Sequence, residues 1–503
     1  MFLSGYKIKV KLIKPDLKEF LNFSKKANVI PVYQEINADL DTPVSAFLKL
    51  EQGDYSFILE SIEGQEKIAR YSFIGTNPSL VFKSKGKQIE IIDTQKNKTK
   101  KFVVLGSPLD EIKRIMQDFR SVQVPGLPRF YGGLVGYVGY DTVRFFENIP
   151  DKNKDDLNIP DILLILTDTL LIFDRLNHSI KILSNVLLPK NSNILKKRQL
   201  YESAVKKIQV IQDNFNQSVI QKQIKNNFKQ SEIKSNLKKS EFVNIVKKAK
   251  KYIKKGDIIQ VVLSQRFKVA TQKNDFAIYR SLRSLNPSPY MYYLKFKDFA
   301  VIGSSPETLV RCENGIVQTR PIAGTRKRGK NEQEDVRLEK ELLNDEKEKA
   351  EHLMLVDLGR NDLGRVSKLG QVKVDYFMQV EKYSHVMHLV SQVSAILDKK
   401  AFDIYDVLKA AFPAGTVSGS PKIRAMEIID QLEKSKRSLY AGAIGYFSFS
   451  HNLDTCIAIR TILLKDGFAY VQAGAGIVAD SVPEKEYQES VNKAQGMMEA
   501  ILK

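Results

Sequence analysis

The chain has 503 residues, of which 43% are hydrophobic and 27% charged, enough to bury a sizeable core in two domains or one large composite domain. Its formal net charge of +21 would suit a polyanionic partner, but the lysines are widely spread and no nucleic-acid motif accompanies them, so a lysine-rich compositional habit is the preferred reading. No apolar run approaches the roughly 20 residues that cross a bilayer, and Cys312 and Cys456 are too few for a disulfide framework, which excludes a small disulfide-stapled or helical membrane protein.

In chain order, Met1–Leu12 alternates Lys with apolar residues and lacks the continuous apolar stretch of a secretion signal, so a cytoplasmic protein is expected. From about Ile30 to Leu183 short strands are predicted, among them Tyr55–Leu59, Val81–Phe82 and Ile162–Phe173. Four glycines among apolar residues in Arg129–Tyr140 suit a strand pair with close backbone approach. The Lys-, Gln- and Asn-rich stretch 196–239 reads as a helix and a solvated linker, and a boundary near residue 235 divides an N-terminal region, 1–235, from a second domain, 236–503. There follow a helix (Glu241–Lys254), strands (Gln260–Val269, Met291–Phe296, Ala300–Ser304), a long charged helix (Glu334–Leu358) and a strand at His385–Leu397. A helix near Pro421–Leu432, strands at Gly442–Phe449, Cys456–Leu464 and Ala469–Gly474, and a last helix from Pro483 complete the chain. Runs of strands with inserted helices indicate an α+β fold.

The last helix is the most informative element. Asp480 or Ser481 can cap it, and Tyr487, Val491, Ala494, Met498 and Ile501 repeat at helical spacing as a buried stripe. Glu486, Glu489 and Lys493 share another face, where two carboxylates one turn apart can hold a hard cation. On spacing alone an exposed Glu–Lys pair is the plainer account. Glu348 and Glu351 form a second such pair in a heavily charged setting, and a solvated face is again the plainer account; taken together the pairs could supply magnesium with the few carboxylates it prefers. Arg460, at the end of an apolar strand, either pairs with an internal carboxylate or awaits an anion. Gly474-Ala475-Gly476 can present bare backbone N–H groups but is no dinucleotide fingerprint, and Pro421 breaks the likeness of 415–422 to a phosphate loop. No nucleophile constellation is present.

The pieces occur in an order that resembles the chorismate-utilising enzymes from about residue 30 to the end. The resemblance is carried by Gly256-Asp-Ile-Ile-Gln-Val-Val-Leu-Ser-Gln-Arg266, Asn286-Pro-Ser-Pro-Tyr-Met291, Gly303-Ser-Ser-Pro-Glu307 and Arg320-Pro-Ile-Ala-Gly-Thr-Arg326. It continues through Ala350-Glu-His-Leu-Met-Leu-Val-Asp-Leu-Gly-Arg-Asn-Asp362, Tyr383-Ser-His-Val-Met-His388 and Phe412-Pro-Ala-Gly-Thr-Val-Ser-Gly-Ser-Pro-Lys422. It implies a large two-layer antiparallel β-sandwich flanked by helices, with the active site in a cleft.

The resemblance also implies roles. Glu348, Glu351, Glu486 and Glu489 would hold Mg2+ and, through it, the ring carboxylate of chorismate. Gly324, Thr325, Gly474, Ala475, Gly476 and Lys493 would surround the substrate's carboxylates, and Arg460 and Tyr440 would hold the enolpyruvyl carboxylate. Glu307 would be the general acid for the departing hydroxyl, with His388 beside the ring and Thr325 and Gln260 in the catalytic set. Family members that add water carry lysine where this chain has Gln260; those that make aminodeoxychorismate carry lysine where it has Ala323. Both positions point to amination of chorismate to anthranilate, with ammonia from a glutamine amidotransferase subunit in a hetero-oligomer. Glu60, Ser61, Arg70, Pro289, Tyr290 and Met291 would line an inhibitory tryptophan pocket. Nucleic acid and membrane are not expected partners.

Overall fold

A computed structural model gives the fold and describes residues 13–38, 40–62, 70–215, 232–383 and 386–503. Met1–Leu12, part of the Lys-rich connector, and Ser384 and His385 lie outside the described residues. The architecture is α+β: two 12-stranded sheets, antiparallel throughout, stacked face to face. The first runs from Val29–Asn37 at one edge, through Ser56–Glu60 and Tyr290–Phe296 at its middle, to Gln260–Ala270 and Lys234–Ser235 at the other. The second runs from Ile322–Lys327 and Val386–Ile396, through Leu453–Ile457, Ala443–Ser448 and Gly133–Val138, to Lys98–Val103.

Strand period explains the layering. Along Tyr290–Phe296, Tyr292 and Leu294 enter the core between the sheets, while Met291 and Tyr293 point to the other face, under the helices. The inter-sheet core joins Phe57, Phe73 and Val301 of the first sheet to Val135, Tyr137 and Tyr446 of the second. Outside the first sheet, the helices Ile194–Phe215, Asp275–Leu285 and Pro483–Leu502 bury Ile208, Leu282 and Met497. Outside the second, Glu346–Gly364 and Ile404–Ala411 bury Val356, Leu363 and Leu408. Both sheets take strands from each side of residue 235.

Several elements differ from expectation. The charged helix is two, Glu332–Asn344 and Glu346–Gly364, because extended Asp345 caps the second by accepting from the N–H groups of Lys347 and Glu348. Ile162–Phe173 and Cys456–Leu464 each turn back into two strands. Arg129–Tyr140 holds one strand, Gly133–Val138, followed by a 3-10 turn, Tyr140–Phe145. The last helix starts after Val482 with no side-chain cap; the Ser481 hydroxyl instead accepts from Val478 N–H.

Candidate active site

Thirteen of the residues named above for catalysis, substrate or metal line one cleft of about 1760 Å³, counting its open mouth. They come from elements far apart in sequence, brought together by strand register. Gln260–Ala270 pairs with Phe468–Ile477, setting Val262 opposite Gly476 and Ser264 opposite Gly474. Glycine is required at Gly474, where backbone stands in the way, and at Gly476 it leaves room for the Gln260 amide. A Cβ on Gly476 would stand 2.6 Å from Gln260 Nε2, and one on Gly474 would stand 2.6 Å from the Leu263 carbonyl and 3.0 Å from the Tyr440 hydroxyl. The side chain of Ala475, between them, is buried in the outer core with Val261 and Ile477. Gln260 is itself buried; its Nε2 lies 3.4 Å from Glu351 Oε1, and its Oε1 has no hydrogen-bond partner.

The carboxylate pairs stand on two helices bordering the cleft, Glu346–Gly364 and Pro483–Leu502. Burial raises the pKa of Glu348, the charge of Glu351 adds to that, and Arg326, 3.4 Å away, opposes it. Burial also raises Glu486, helped by Glu489 and opposed by a Ser481 hydrogen bond. Glu489 pairs with Lys493 at 2.7 Å. Such mutual repulsion between hard oxygen donors is what a divalent cation relieves, and without cysteine the set suits magnesium better than zinc. Among the described residues no three His, Cys, Asp or Glu side chains gather closely enough to hold a metal ion by themselves.

Glu307 follows the strand Phe299–Ser305 and faces the cleft. Burial pushes its pKa up to about 8, against the opposing effects of a hydrogen bond from Thr416 at 3.0 Å and the charge of Lys493. The carboxyl is therefore protonated at neutral pH, as a proton donor must be. Gly324 is the extra residue of a β-bulge between Ala323 and Thr325, at φ +62°. The bulge brings His388 Nδ1 3.1 Å from the Gly324 carbonyl and 3.0 Å from Thr325 Oγ1. A carbonyl only accepts, so Nδ1 carries the proton and Nε2 keeps its lone pair. Burial lowers the His388 pKa, which favours this neutral ring; His388 itself stands behind Gly324 and Thr325 rather than in the cleft lining.

Arg460 is not the end of a strand. It sits in the turn between Leu453–Ile457 and Thr461–Lys465 at φ +52°, its Nη1 3.3 Å from the Lys493 carbonyl. Burial lowers its pKa, and among the described residues it has no salt bridge to a carboxylate. A desolvated guanidinium at a cleft wall without an ion partner is a receptor for an anion.

A separate cavity of about 510 Å³, counting its open mouth, lies between the sheets, lined by Glu60, Ser61, Pro289, Tyr290 and Met291 together with Tyr71, Ile444, Tyr446 and Cys456. Glu60 Oε2 is 2.9 Å from Arg283 Nε, while Glu60 Oε1 and Ser61 Oγ are buried without partners. Arg70 lies beside the cavity rather than in it, forked onto Asp174 at 2.9 and 2.7 Å. The Tyr290 hydroxyl donates to Asp454 at 2.8 Å and lies 3.0 Å from Thr308 Oγ1, next to Glu307.

Sequence reasoning missed Thr416, Lys347, Gln472 and Ser481, all of which line the cleft. Thr416 lay inside a quoted motif, but nothing in spacing aims it at Glu307; Lys347 was hidden in a run of charges.

The chorismate binding enzyme family model matches residues 54–499. The chain is 53% identical over 500 residues to anthranilate synthase component 1 of Acetivibrio thermocellus, covering 97% of this chain and 98% of that one. It is 52% identical to the Aquifex aeolicus protein of the same name, over 96% and 97% of the two chains. The crystal structure of anthranilate synthase component I from Streptococcus pneumoniae superposes with a TM-score of 0.75 at 38% identity, over 92% of this chain and 98% of that one. A menaquinone-specific isochorismate synthase from Escherichia coli shares the fold at 21% identity and a TM-score of 0.68, over 97% and 98%. With the family's pattern running through both sheets and around the cleft, the chain belongs to the chorismate-binding enzymes.

Proposed function

We propose that this chain is the aminating subunit of an anthranilate synthase, converting chorismate and ammonia to anthranilate and pyruvate. The observation that carries this reading is the composition of the cleft: a protonated Glu307, an Arg460 without an ion partner and a neutral amide, Gln260, line one space. Ammonia is nucleophilic without a base, so an amide suffices where water addition needs a lysine. Ala323 in the same lining favours anthranilate over aminodeoxychorismate.

Arg460 and Tyr440 hold the enolpyruvyl carboxylate. The backbone at Gly324, Thr325, Gly474, Ala475 and Gly476, with Lys493, surrounds the substrate's carboxylates. Glu348, Glu351, Glu486 and Glu489 hold magnesium, which supplies charge compensation for the ring carboxylate when bound. Ammonia adds at ring carbon 2, and Glu307 protonates the carbon-4 hydroxyl as it leaves. Elimination of pyruvate then aromatises the ring, with neutral His388 holding Gly324 and Thr325 from behind. A glutamine amidotransferase subunit supplies the ammonia in a hetero-oligomer. We place the chain's action in the cytoplasm, in keeping with its two buried free thiols.

Tryptophan is the inhibitor we assign to the cavity between the sheets. Its ammonium matches the unpartnered Ser61 hydroxyl, and its indole the apolar wall of Pro289, Ile444 and Tyr446. Occupancy favours a state in which the strands leading to Glu307 are less well placed.

The test is anthranilate fluorescence from purified chain, chorismate, magnesium and excess ammonium. Product is expected, lost on chelation and reduced by tryptophan. Insensitivity to tryptophan removes the inhibitor assignment alone; consumption of chorismate to another product moves the chain to a sister activity.

A further inference from the structure

Glu307 borders two spaces. On one side is the cleft; on the other is a smaller cavity of about 440 Å³, lined among others by Thr308, Thr319, Leu358, Asp362 and Thr416. Asp362, in the last turn of Glu346–Gly364, is 8% exposed, and its Oδ2 lies 2.8 Å from Lys422 Nζ. Burial raises the Asp362 pKa, with Lys422 and Arg365 opposing. The amination scheme uses neither this second carboxyl nor the cavity. In a lining otherwise mostly apolar, the hydroxyls of Thr308, Thr319 and Thr416 and the carboxyls of Glu307 and Asp362 give waters polar partners, and the room left for water centres, about 40 Å³, exceeds the roughly 10–15 Å³ that one water needs.

We propose that this cavity returns the proton to Glu307 after each turnover, through a water chain fed by Asp362, a positioning residue that does not touch substrate. The proposal rests on the reading of Glu307 as the general acid. As the ring C–O bond breaks, its electron pair leaves with the oxygen, and the proton of Glu307 completes a water molecule. The new C–N bond uses the lone pair of ammonia, and the nitrogen then sheds a proton to solvent. Glu307 is left as a carboxylate and takes up one proton, which balances the cycle. Substrate and intermediate fill the cleft while this happens, so the open side is the cavity behind. A carboxylate stranded in a buried setting, with Lys493 the charged group facing it, is costly, which favours prompt return.

Quenched-flow kinetics of the full chain with magnesium, ammonium and chorismate test this, comparing the first turnover with the steady state. In Asp362→Asn the first turnover runs at the parent rate, since Glu307 starts protonated. The steady state falls about tenfold, less than the 10²–10⁴ of a group acting directly on the leaving oxygen. Added imidazolium buffer restores it in proportion to concentration, and Asp362→Glu retains most of it. Leu358→Phe, which narrows the cavity and leaves both carboxyls in place, shows the same burst. A fall of first turnover and steady state together, or no fall in either, overturns the relay. Loss of the first turnover in Glu307→Gln is the control: if that variant keeps its chemistry, the acid assignment fails first and separately.

Discussion

Glu307 carries the sharpest expectation at the scale of single residues. Its pKa of about 8 comes from burial, with Thr416 and Lys493 pulling the other way. The protonated form is the active one, so kcat/KM in the free enzyme should fall as pH rises through about 8 and should hold below it on this limb. Glu307→Gln should lose about 10²–10⁴ in kcat with little change in KM. The sign for stability is the same. The folded state keeps a proton that the unfolded chain releases near 4.5, so folding weakens from there up to about 8. Melts of Glu307→Gln and the parent should therefore diverge across that window, in favour of the variant at the alkaline end. Arg460 gives a second expectation. Removing one partner of a desolvated charge pair costs about 2–5 kcal/mol, so Arg460→Ala should lower kcat/KM for chorismate by about 30-fold or more while the fold holds. Intact protein with an unchanged KM would overturn its role as anion receptor.

Among the elements, the bulge in Ile322–Lys327 matters most, because it turns the Gly324 carbonyl toward His388. A Cβ at Gly324 would lie 3.0 Å from Leu342 Cδ1 and 3.3 Å from Glu348 Oε2, at a backbone angle of φ +62° that side chains disfavour. Gly324→Ala should thus cost about 1–3 kcal/mol of stability and disturb His388 and Glu348 together. A lower melting temperature with a loss of activity beyond what unfolding explains would bear this out; a silent change would not. The motif around Gly324 was legible in the sequence, but the bulge was not, since it is a mismatch of register with a strand sixty residues away. The same holds elsewhere. The strand Gln260–Ala270 was read almost to its ends from an apolar run. The break at Asp345 was missed because a capping carboxylate looks like any other in an acidic stretch, and the turn at Arg460 because no glycine marks its positive φ. Lys373–Lys382 was missed because its side chains are mostly exposed or half-buried, so no core periodicity announces it. Cleft residues were found through motif order; what aims Thr416 at Glu307 is tertiary packing, which spacing does not encode.

For the molecule as a whole, the interleaving of the two sheets decides what can fold. Ser56–Glu60 is hydrogen-bonded on one side to Tyr71–Thr76 and on the other to Tyr290–Phe296. In the second sheet, Gly133–Val138 pairs with Ala443–Ser448. Cutting near residue 235 would expose both of these edges along their length and open the core where Phe57 and Tyr137 meet Tyr292 and Tyr446. Unpaired backbone at a sheet edge and exposed apolar faces favour aggregation rather than independent folding. Residues 236–503 expressed alone should therefore give no cooperative melt and should bind a hydrophobic dye. Coexpression with 1–235 should recover a soluble complex with a single transition, because the cut leaves the long strands of both sheets whole and meets only the two-residue strand Lys234–Ser235 at the edge of the first. A cooperative melt of 236–503 by itself, with chorismate turnover from ammonium, would show that the catalytic half carries its own core and that the N-terminal strands serve the inhibitor cavity alone.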